Sequence, residues 1–449
     1  MAVFVKDKDF YQRFFSLTVV IALQNVIVFS VNLADNIMLG AYAQDALSGV
    51  ALCNQIQFIL QMLVMGVGEG MLVFAARYWG EQRIEPIWRI TSIGMLLAVV
   101  SSLLLAVVVF LLPHQTLRLL SDEEPVLAEG VRYLKILCFT YPIFAVTNIL
   151  LSMLRSVETV RIGFYVSVAA LLTNVFLNYV LIFGHFGFPR LGVEGAAIAT
   201  LISRVLEMLI VLFYTFFVDK KVRLRPRAFG KLDLALLRDY FRYGSPVLFS
   251  NLSWGVAMAV QTAILGHMGS DTIAANSIAT TVMQVMSVVA YASGSATSVV
   301  IGKAIGEGRI QDVKAYAKTL QVLYLLIGVV TGAAIYLSKD AIISLYNVTE
   351  AARQLAVVFM IVLAFTSLGT AYQMPCLTGI VRAGGDTAFV LKNDAIFQWC
   401  IVLPASLLAA FVLNASPLAV FICLKSDQVL KCAVAVPKVN RYTWIRTLH

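Results

Sequence analysis

The chain is predicted to be an all-α polytopic membrane protein, with twelve transmembrane helices in two six-helix bundles repeated in parallel. Three observations carry this. Its 449 residues are 60% hydrophobic and only 13% charged, whereas soluble domains are about half apolar and a quarter charged. Apolar runs long enough to cross a hydrocarbon core of about 30 Å recur along the chain. The sequence also resembles itself when shifted by about 226 positions, which marks a duplication.

The runs, bounded by polar or Gly/Pro clusters, place helices over residues 14–38, 46–76, 87–112, 131–154, 162–184 and 194–217, then 244–267, 272–300, 316–337, 353–375, 389–413 and 416–436. The last is interrupted by Lys425 and Asp427. No small-residue cleavage site follows the first run, so that helix is expected to stay in the mature protein. Most cysteines sit inside apolar runs, and no CxxC pair or histidine spacing suggests a metal site or a disulfide framework.

The net charge of +9 is not a nucleic-acid signal, because the basic residues concentrate in alternate loops. One set of loops, with both termini, holds 27 of the 34 lysines and arginines, against six on the other side. The positive-inside rule then predicts both termini cytoplasmic in the inner or plasma membrane. The most basic loop, Lys220–Arg242, reads as a cytoplasmic linker. The domains are therefore drawn at 1–218, 219–243 and 244–449, with the bilayer as partner and a monomer as the expected unit.

The repeat aligns Leu39-Gly40 with Leu265-Gly266, Asp45 with Asp271, Gly80-Glu81 with Gly306-Glu307 and Arg83-Ile84 with Arg309-Ile310. Arg155 falls one residue short of Arg382. Each half has an even number of spans, so the halves share one orientation, as in parallel-repeat secondary transporters. No phosphate-binding loop, nucleophile elbow or zinc-protease motif is present, which argues against an ATPase or a membrane enzyme.

Several segments resemble the multidrug and toxic compound extrusion (MATE) transporters, with a pattern similar to the bacterial DinF-like branch. They are Val31-Asn32-Leu33-Ala34-Asp35-Asn36-Ile37-Met38-Leu39-Gly40, Ala75-Ala76-Arg77-Tyr78-Trp79-Gly80, Leu154-Arg155-Ser156-Val157-Glu158-Thr159, Ala263-Ile264-Leu265-Gly266-His267-Met268-Gly269 and, most specifically, Asn174–Gly184 followed by Gly195-Ala196-Ala197-Ile198-Ala199-Thr200. The resemblance implies twelve helices in two bundles and export of organic, often cationic, compounds against inward flow of H⁺ or Na⁺, with no other cofactor. It departs from the family at Arg77, where Gln is more usual, and at Val20, where relatives have a proline that the repeat keeps as Pro246.

A carboxylate inside the membrane suits ion coupling, because it is costly to hold there unless it is used. Asp35 stands five residues before the helix-ending Gly40, about 7–8 Å along the axis. The resemblance makes it the cation-linked acid. Its repeat partner is Gln261, which cannot titrate. Glu69, between two glycines, is a second coupling candidate, or else a carboxylate bound into helix packing. Asn174 and Asn178 are one turn apart and share a face; the resemblance associates them and Thr200 with the same pocket, Asn178 standing where some relatives have an acid. Arg204 and Glu207, three apart, are expected to pair with each other. In the second half the substrate-cavity candidates are Gln261, Gln284, Tyr291, Tyr372 and Gln373. Helices seven, eight and ten carry no core acid there, so the titratable candidates are confined to the first half and favour H⁺. Na⁺ coupling is the alternative. A lipid-linked oligosaccharide flippase is disfavoured, because Arg204 is the lone basic residue placed deep in a helix.

Overall fold

The computed structural model describes residues 4–121, 123–224, 233–346 and 348–446. Every element in these stretches is helical. In a bilayer, a helix satisfies its own backbone groups where water cannot. The elements are α1 Lys8–Tyr42, α2 Gln44–Gly80, α3 Ile84–Leu111, α4 Pro113–Arg118, α5 Glu124–Leu137, α6 Thr140–Ser156, α7 Arg161–Phe183, α8 Val193–Phe213, α9 Leu234–Tyr243, α10 Ser245–Gly266, α11 Ser270–Gly306, α12 Ile310–Ser344, α13 Glu350–Met374, α14 Thr387–Ala395, α15 Leu403–Leu407, α16 Pro417–Lys425 and α17 Asp427–Asn440.

Ten helical stretches are long and apolar enough to cross a membrane, and α5 with α6 forms an eleventh span bent by 52°. The twelfth is the interrupted one. It breaks at Ser426 into α16 and α17, between the two charged residues that interrupt its apolar run. Large apolar side chains, among them Leu104, Leu111, Val330, Leu337 and Phe365, stand exposed on these helices, as lipid-facing surface requires.

Local sequence explains the irregularities. α1 runs without a break through Val20, consistent with the missing proline. After α13, Pro375 opens a π-helical turn, Pro375–Val381. Proline has no N–H, so the ladder widens there rather than stopping. Pro404 lies in α15, between π-helical turns at Ile396–Val402 and Leu408–Val412. α9 occupies the end of the basic linker and is capped by Asp233, whose carboxylate accepts from the N–H groups of Ala235 and Leu236.

Two compact units result, one of residues 23–248 and one of residues 1–22 with 249–449. In the first lobe, α7 and α8 pack closely because Gly195 lies against the chain: a Cβ there would sit 2.6 Å from the Leu181 carbonyl oxygen. α9 joins this lobe, with the Tyr240 hydroxyl donating to the Val67 carbonyl at 3.0 Å. The glycines around Glu69 also mark close approaches, Gly68 to Ser152 and Gly70 to Gly244. These glycines let helices pack closely, and α2 is unbroken.

The second lobe is built around Phe359 and Phe421, whose rings stack 3.9 Å apart. The start of α1 belongs to it: Phe10 stacks on Tyr316 at 4.4 Å and the Val5 N–H donates to Thr319 Oγ1 at 3.0 Å. Its last residues are held as well. Trp444 is fully buried, and Asp386 takes Lys438 at 2.6 Å and Arg446 at 2.9 Å.

Candidate functional site

A cavity in the first lobe gathers polar side chains from α1, α2, α5, α7 and α8, including Asp35, Gln57, Asn174, Thr200, Arg204 and Glu207. The α7–α8 approach at Gly195 sets the Asn174 face of α7 against Thr200. Asn174 Nδ2 donates to Thr200 Oγ1 at 3.3 Å. Asn178 Nδ2 donates to Asn174 Oδ1 at 3.1 Å and also to Asp35 Oδ1. Asp35, Asn174 and Asn178 are all buried. Four of the five residues predicted for ion coupling thus form one hydrogen-bonded chain around one carboxylate. Glu69 is only partly buried and does not line this cavity.

The chain has two notable chemical properties. The Asn178 Oδ1 atom is buried and accepts no hydrogen bond. An amide offers both a donor and an acceptor, and turning it by 180° exchanges them. Asn178 can therefore serve an ionised Asp35 through its NH₂ and a protonated Asp35 through its carbonyl. Arg204 and Glu207 pair with each other at 2.7 Å, as their spacing predicts. Arg204 also lies over the Phe144 ring at 5.3 Å. Because both line the cavity, a resident cation and a second acid stand beside Asp35.

The second lobe differs from the sequence expectation. Gln261, Tyr372 and Gln373 are buried, Tyr291 is partly buried and Gln284 is exposed. Tyr372 donates to Gln321 at 2.7 Å and Gln373 donates to Gln428 at 3.0 Å, so these candidates are tied into inter-helix packing. Titratable groups are not confined to the first lobe. Asp394, Lys425, Asp427 and Lys431 form a cluster in which Lys425, Asp427 and Lys431 are buried. Lys431 meets Asp394 at 2.9 Å and Asp427 at 3.6 Å. The expected helix over 416–436 contains Lys425, Asp427 and Lys431, but the charge tally counted both lysines with the cytoplasmic side. The signal was present in the i, i+4 spacing of Asp427 and Lys431 within an apolar stretch, which puts both on one face of a helix.

Twelve spans in a duplicated scaffold, with a buried carboxylate in a polar cavity, define a membrane transporter. Residues 21–180 and 246–424 match the MatE family. The chain belongs to that family, the MATE transporters. It is 24% identical over 439 residues to the probable multidrug resistance protein NorM of Listeria monocytogenes, covering 96% of this chain and 94% of that one. It is 25% identical over 398 residues to the multidrug resistance protein MdtK of Pectobacterium atrosepticum, covering 88% and 86%. Among solved structures, MATE in the bent conformation superposes with a TM-score of 0.86 at 19% identity, over 96% of this chain and 95% of that one. A MOP superfamily transporter of Pyrococcus furiosus, described as having a binding pocket of reverse polarity, gives 0.86 at 19% identity over 97% and 96%.

Proposed function

We propose that this protein is a proton-coupled antiporter that exports organic, often cationic, compounds across the cell membrane by alternating access, both termini lying in the cytoplasm. The observation that carries the reading is the chain Asp35–Asn178–Asn174–Thr200, of which Asp35, Asn174 and Thr200 line a polar cavity within the membrane-spanning helices. The multidrug names of the NorM and MdtK relatives support the substrate class.

The chemistry follows from one carboxylate serving two cations. Ionised Asp35 attracts an organic cation into the cavity. A proton arriving from outside neutralises the acid, removes that attraction and releases the cargo. Asn178 keeps Asp35 hydrogen-bonded in both states, so neither leaves a buried acid without a partner, which would cost about 1–3 kcal/mol. Competition of this kind couples opposite flows without ATP, because the proton and the cargo cannot hold the site together.

The test is ethidium export from proteoliposomes under separately imposed proton and sodium gradients. A proton gradient alone should drive export, and Asp35→Asn should abolish it while the protein remains folded. Export driven by sodium alone would replace the proton with Na⁺ at the same oxygens. Wild-type export by Asp35→Asn would remove Asp35 from the mechanism.

A further inference from the structure

The second lobe has a cavity of its own, lined by Met283, Met286, Ser287, Thr370, Lys425 and Gln428 among others. Lys425 is 8% exposed. Its ammonium donates to Gln261 Oε1 at 3.3 Å and lies 5.6 Å from the centre of the Phe421 ring. An ammonium has three N–H donors, and among the described residues no carboxylate lies within ion-pair distance of this one. The nearby acids are engaged elsewhere. Asp394 takes Lys431 at 2.9 Å and Ser250 at 2.6 Å. Asp427 takes Lys431 at 3.6 Å and both its oxygens accept from Gln428 at 3.1 Å. Two lysines and two aspartates balance formally, but the balance is lopsided: both acids face Lys431, and the positive end of the cluster borders the cavity.

The repeat makes the contrast specific. Gln261 is the counterpart of Asp35, and Met283 is the counterpart of Gln57. At corresponding places on one scaffold, the first lobe offers a carboxylate and an amide, and the second an amide bound to a lysine and a thioether. The second cavity is the first with its polarity reversed and part of its lining made apolar.

We propose that the second-lobe cavity binds an organic anion, whose carboxylate takes the remaining N–H donors of Lys425 and whose apolar body lies against Met283 and Met286. Charge-assisted N–H···O bonds are the stronger kind. Unbranched methionines adapt to varied apolar shapes. The site would give the protein a class of ligand that the Asp35 cavity rejects.

The experiment is equilibrium binding of radiolabelled 4-phenylbutyrate to the full-length protein in nanodiscs, with 4-phenylbutanol as neutral competitor. No gradient is applied, so the result does not depend on whether Asp35 couples export. Wild type should bind the acid saturably, with the alcohol a poor competitor. Lys425→Met should weaken binding by about tenfold or more, the worth of a hydrogen bond to a charged group, and Lys425→Arg should retain it. Ser287→Asp keeps Lys425 but adds a carboxylate to the cavity, and should cause the same loss should Lys425→Met fail to fold. Absence of saturable binding to wild type, or binding unchanged in Lys425→Met or in a folded Ser287→Asp, overturns the proposal.

Discussion

In the proposed mechanism, Asn178 lets a buried acid work in two protonation states. It touches Asp35 and Asn174 at once, and its free carbonyl oxygen is available when the acid carries a proton. Asn178→Leu removes both partners at near-constant volume. Proton-driven ethidium export should fall by about 10- to 100-fold, the worth of a hydrogen bond to a charged group. Glu69→Gln is the contrasting variant. Glu69 lies on α2 outside the cavity lining, between glycines that bring helices together, so pH-dependent export should persist. Its loss would move Glu69 into the coupling machinery.

At the level of elements, helix ends and close crossings do the positioning. Asp233 caps α9, and the backbone N–H of Leu236 and the Arg89 guanidinium hold its carboxyl below the ordinary carboxylate range. A depressed acid contributes stability above its unfolded-state pKa, and that contribution is lost as pH falls through the lower folded value. Asp233→Ala should therefore destabilise the protein by about 1 kcal/mol near neutral pH. The difference from wild type should vanish in strong acid, read as thermal midpoints across a pH series. Much of this layer was legible beforehand. Gly184 and Gly195 flank the α7–α8 turn, and they mark both a sharp reversal and a close crossing. The cluster of α14, α16 and α17 was not. The helix expected over 416–436 contains Lys425, Asp427 and Lys431, but only packing shows that they are buried and that Lys431 pairs with Asp394. Likewise the face shared by Asn174 and Asn178 followed from spacing and their common pocket from the resemblance, but that Asn178 is the one bonded to Asp35 required the tertiary fold.

Across the whole molecule, duplication supplies the scaffold and divergence supplies the chemistry. Corresponding positions carry Asp35 and Gln261, so one lobe keeps an acid where its counterpart keeps an amide. Each lobe has a cavity of its own, and we propose that one chain is the transport unit. Export per molecule should thus be independent of the protein-to-lipid ratio in proteoliposomes. A rate rising with density would require association.

The two ends of α1 belong to different compact units, and this has a consequence for biosynthesis. Val5 and Phe10 leave the ribosome well before their partners Thr319 and Tyr316, which are made more than 300 residues later. Domains synthesised early usually fold early. Here the start of α1, up to Ala22, must wait unpacked until α12 has been inserted. Completion of the second lobe is then also the step that finishes the first helix, and a chain stalled before α12 would present Phe10 and Phe14 to quality-control machinery as unburied aromatic surface.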